Sequence, residues 1–196
     1  MKELNRRTIL ALSGASVALL ALAACGSTPS TPVAPAGSKE AKVLAAINKV
    51  WKEKFDAGLV DHEQLTLNQE AQEAIKIQGG IFENAQKPVH TLTTEDIKKL
   101  GDITAWEYTM KQKYELGGAA GVSEPSSEGE ISLTFEYSCE DAVVQKFVDK
   151  ILDYSLSRKA EFISIYCPVV QGKTYMIATV SVSYTHLRAH ETRRHL

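Results

Sequence analysis

Apolar residues between positions 43 and 55 recur at helical spacing: Val43, Leu44, Ile47, Val50, Trp51 and Phe55 share one stripe. Ser38 stands where an N-cap oxygen is needed, and Gly58 where a helix can end in a left-handed residue. Leu67, Ala71, Ala74 and Ile75 predict a second helix, stopped by Gly79-Gly80. Thr93-Thr94-Glu95-Asp96 predicts a capped start for a short third helix to Leu100. Ile103, Trp106, Glu107, Met110 and Tyr114 continue that spacing, and residues 117–128 (GGAAGVSEPSSE) read as loop.

The period then changes. Ile131, Leu133, Phe135 and Tyr137 alternate with Ser132, Thr134 and Glu136, which predicts a half-buried strand. Glu140 to Tyr154 returns to helical spacing and buries Val143, Val144, Phe147, Ile151 and Leu152. Phe162 to Cys167 and Thr174 to Ser181 read as two strands joined across Val170-Gln171-Gly172-Lys173. Helices, strand, helix and hairpin in this order predict an α/β layered domain rather than a helical bundle.

Neither end follows either period. A basic start, Arg6-Arg7 included, precedes an apolar run from Ile9 to Ala24, the pattern of an export signal over residues 1–24. A helix needs roughly 20 apolar residues to cross a bilayer core, so this run is short for a permanent span. It ends Leu22-Ala23-Ala24-Cys25-Gly26, which resembles a bacterial lipoprotein box with Cys25 as the acylated residue; an ordinary secretory signal is the plainer alternative. Asn5-Arg6-Arg7-Thr8 also resembles a twin-arginine signal, leaving that route and general secretion both open. Residues 25–38 then form a Pro/Ser/Thr-rich tether. At the other end, residues 182–192 (VSYTHLRAHET) resemble a translated sequencing-library adapter, so 182–196 read as a non-native tail; a basic, His-rich tail is the alternative.

Composition matters once these ends are set apart. Across 196 residues, 44% apolar and 23% charged positions exclude a disordered chain, a coiled coil and a multi-span membrane protein. The net charge of −2 hides a more acidic segment: residues 25–181 hold 16 Lys+Arg against 22 Asp+Glu, a net −6. That surface suits neither nucleic acid nor anionic lipid, so membrane attachment is expected through the lipid anchor and nucleic acid is not an expected partner. Three of the five histidines, His186, His190 and His195, fall in the tail. The segment 25–181 contains no phosphate loop, dinucleotide fingerprint, nucleophile elbow or Cys-x-x-Cys pair, and no cofactor is expected.

Residues 39–181 carry spacings that resemble the CAP family of cysteine-rich secretory, antigen 5 and pathogenesis-related proteins, in its short bacterial, SCP-like form. The matching positions are Asn48, Gly58-Leu59, Leu65-Thr66-Leu67-Asn68, Gly129-Glu130, Ala142-Val143, Phe162 with Ile165, and Gly172-Lys173-Thr174-Tyr175. Phe147 stands where that family usually has Trp. The resemblance implies a three-layer α/β/α sandwich with a cleft lined by His90, Glu130 and Asp153. Ile131 replaces the family's usual Asn, and Asp153 stands at its second His position, so the usual zinc centre is not expected. The implied function is non-catalytic binding of an envelope, lipid or small-molecule ligand, on a chain facing outward from a bacterial cell membrane. A metal-assisted hydrolase using those three residues, or a purely structural or adhesive domain, are the alternatives.

Cys139 and Cys167 remain after Cys25. In an exported protein they could pair across a loop of about 29 residues, contributing roughly 3–4 kcal/mol, or stay as buried free thiols. His62, in Val60-Asp61-His62-Glu63, reads as solvated loop, and Trp51 and Trp106 read as core.

Overall fold

The computed structural model describes residues 37–100 and 114–183, the Glu70 side chain excepted. The leader, Cys25, most of the tether, the helical continuation expected over 103–110 and the tail from 184 onward lie outside the described residues. Helix α1 (Lys39–Asp56) starts where its cap predicts: Ser38 Oγ accepts the Ala41 N–H at 3.1 Å. It ends on Gly58 at φ +70°, with the Gly58 N–H bonded to Phe55 O and the Leu59 N–H to Lys54 O. This paired closure needs the left-handed residue that glycine supplies without strain. Strand β1 (Thr66–Leu67) follows, then helix α2 (Gln69–Ala85), whose N-cap Asn68 accepts the Ala71 N–H at 3.1 Å.

A four-stranded sheet forms the middle layer. β1 runs parallel to β5 (Phe162–Tyr166), which is antiparallel to β8 (Ile177–Ser183), and β3 (Tyr114–Ala120) closes the other side of β8 with a bulge between Leu116 and Gly118. Two small antiparallel pairs flank it: β2 (Val89–Thr91) with β4 (Glu130–Ser132), and β6 (Val169–Val170) with β7 (Lys173–Thr174). Residues 94–100, up to the last described position before 114, are helical (α3), and helix α4 spans Asp141–Leu152.

Alternation along β5 and β8 sends side chains to opposite faces. Ile163, Ile165, Ala178 and Val180 join Val43, Ile47, Val50 and Trp51 of α1 and Val144, Phe147, Val148 and Ile151 of α4 in one apolar cluster. Ile177 points the other way, into a second cluster with Ile75 and Phe82 of α2 and Ile131 and Leu133. Helices therefore cover both faces of the sheet, an α/β arrangement. Trp51 and Phe147 are fully buried, each contributing roughly 1.5–3 kcal/mol. Phe135 meets Phe147 edge to face at 5.0 Å between ring centroids.

Several expectations change. α2 runs through Gly79-Gly80 to Ala85, and Leu67 lies in β1 rather than in the helix. Gly79 is there for space: a Cβ would run into the Tyr166 ring. Tyr114 opens a strand, and residues 117–120 belong to β3 rather than a loop. There the glycines admit close packing, since a Cβ on Gly118 would stand 2.6 Å from Ile151 O. The strand expected over 131–137 is regular only through Ser132, with isolated bridges at Leu133 and Glu136. Thr174 closes the β6–β7 hairpin, whose turn residues Gln171 (φ 51°) and Gly172 (φ 76°) both adopt the left-handed conformation, and β8 begins at Ile177. β8 also continues past the expected boundary at 181, with Val182 buried and paired to Glu115.

Candidate functional site

His90 sits on β2 opposite Ile131 of β4, while Thr91 faces Glu130 and Val89 faces Ser132. Because neighbours on a strand alternate, His90 shares the inward face with buried Ile131, and Glu130 projects from the opposite, exposed face. The imidazole finds its partner on α3: His90 Nε2 lies 2.7 Å from Asp96 Oδ2, with the two side chains 17% and 11% exposed. The same carboxylate oxygen accepts the Thr93 N–H at 2.9 Å and the Thr93 hydroxyl at 2.6 Å, while Thr93 Oγ1 accepts the Asp96 N–H at 3.2 Å. This is a capping box with aspartate in the third helical position. Burial alone would push the Asp96 carboxyl up, but the bonds from His90 and Thr93 outweigh it and hold it at about 2.

Asp153 does not join this group. It caps the C-terminus of α4, whose buried face belongs to the other apolar cluster, and its exposed carboxylate pairs with Lys150 at 2.8 Å. The ion pair offsets the unfavourable placement of an acid at a helix C-terminus. Thus β2 and β4 bring His90 and Glu130 onto one two-stranded unit with side chains on opposite faces, and Asp153 stands apart. Among the described residues, no group of three or more His, Cys, Asp or Glu side chains is placed to hold a metal ion. The His90–Asp96 pair can hold and orient one proton. Its sequence signal was the Thr93-x-x-Asp96 spacing, whereas the pairing with His90 depends on the β2 register.

Cys139 and Cys167 are free thiols in this structure, Cys139 exposed and Cys167 buried. Tyr137 N–H bonds to Thr174 O, and Val169 pairs with Thr174 in the β6–β7 hairpin. Cys139 Sγ contacts the Tyr137 hydroxyl at 3.6 Å. That hydrogen bond, with burial, pushes the Tyr137 hydroxyl up to about 12. Burial, followed by the nearby Glu40 charge, likewise pushes the Cys167 thiol up to about 12, which leaves it a poor nucleophile.

Three amide side chains, unremarked in the sequence or read only as landmarks, tie helices to strands. Asn48 exchanges two hydrogen bonds with the Leu65 backbone, at 3.0 and 2.8 Å. Gln72 does the same for Ile165, and Asn68 Nδ2 donates to Ser181 Oγ at 3.3 Å. His62 is half-buried rather than solvated: its carbonyl accepts the Trp51 indole N–H at 3.0 Å, and its ring lies 3.6 Å from Glu161. Among the described residues, no helix is long and apolar enough to cross a membrane. No family model, curated protein or solved structure matches this chain.

Proposed function

We propose that this chain is an exported, lipid-anchored cell-envelope protein whose domain, a divergent CAP-like α/β/α sandwich, binds an envelope, lipid or small-molecule ligand without catalysing a reaction. The observation that carries the reading is the order basic start, apolar run, Leu22-Ala23-Ala24-Cys25, tether and then a folded domain beginning at Ser38. Two observations support the CAP-like part. Asn48 and Leu65, both among the matching positions, are hydrogen-bonded to each other, and helices cover both sheet faces. The non-catalytic part rests on the dispersal of His90, Glu130 and Asp153 described above.

The test has two arms. Expressed with its own leader in a bacterium fed an alkyne-tagged fatty acid, the protein should carry the label, and Cys25→Ser should abolish it. Absence of label in the unaltered chain would sink the anchor. In the second arm, the purified protein is incubated with peptides and cell-wall fragments. Hydrolysis that disappears on Glu130→Ala would overturn the non-catalytic reading.

A further inference from the structure

We draw no further inference here: the strongest candidate, the apolar patch of Tyr114, Leu116 and Phe162 beside Ser181 on one face of the four-stranded sheet, carries nothing because nothing in the structure shows what covers it, residues 101–113 that lead into β3 lying outside the described residues.

Discussion

Asn48 shows how one side chain can stand in for a strand. Its amide offers the donor and acceptor of a peptide group and satisfies both polar atoms of Leu65, at a point where the chain has no strand beside it. Asn48→Asp keeps the shape and removes the donor, so it should destabilise the domain by about 1–3 kcal/mol. A urea midpoint that falls at constant slope would show this, and an unchanged midpoint would refute it. Asp96 makes a prediction about acid. Its carboxyl is held at about 2, below the ordinary 3.8, so the folded state favours the ionised form. The stability this supplies, about 2 kcal/mol, is complete above roughly pH 5 and is lost as pH falls from there through about 2. The gap in stability between the unaltered protein and Asp96→Asn should shrink across that window; a gap that widens toward acid would contradict the assignment. The cysteines differ in the same local way: native protein should lose Cys139 to iodoacetamide while Cys167 is spared until unfolding, which alkylation and peptide mass mapping would show. Thr93 and Asp96 were legible as a cap because capping depends on sequence neighbours alone. The His90 bond was not, because it requires knowing how β2 lies against α3.

At the scale of elements, α1 and α4 follow their apolar stripes closely, since each buries one face of a helix against a single cluster. Glycine is where local reading failed, and in opposite senses at adjacent positions. In α2 the pair Gly79-Gly80 looks like a stop, yet the helix passes through both because packing on β5 and β8 outweighs the roughly 1 kcal/mol propensity cost of each. A Cβ at Gly79 would collide with the Tyr166 ring, which cannot easily turn aside because its hydroxyl is held by Glu83 at 2.8 Å. A Cβ at Gly80 would meet nothing within 4 Å. Gly80→Ala should therefore stabilise the protein by about 0.5–1 kcal/mol, whereas Gly79→Ala should destabilise it by roughly 1–3 kcal/mol. Melting temperatures moving in opposite directions would establish the contrast, and two variants moving together would undo it. β3 was illegible for the related reason that Gly117-Gly118 carries no pattern of its own. Its place beside β8 is set by how closely the backbone can approach Ser157 and Ile151.

For the whole molecule, charge and apolar surface separate along the chain. The segment 25–181 carries a net −6, while the apolar run Ile9–Ala24 precedes it. An acidic domain is repelled by anionic lipid rather than drawn to it. Under the proposed anchoring, then, all attachment resides in the acyl chains, and two consequences follow that distinguish this from a peripheral, charge-held protein. Salt at about 1 M, where the screening length is roughly 3 Å, should leave the mature protein in the membrane pellet. Proteolysis within the tether should release the domain, because residues 26–36 carry a Pro/Ser/Thr-rich composition that builds no core, ahead of the helix that begins after Ser38. The released fragment should stay in solution when mixed with vesicles rich in anionic lipid, at low as well as high salt. A fragment that sediments with those vesicles would mean that the folded domain has a lipid-binding surface of its own. The exposed side chains at the far ends of the helices, Phe55, Leu59 and Tyr154 among them, would then be the first to replace, since acidic surface cannot supply that attraction.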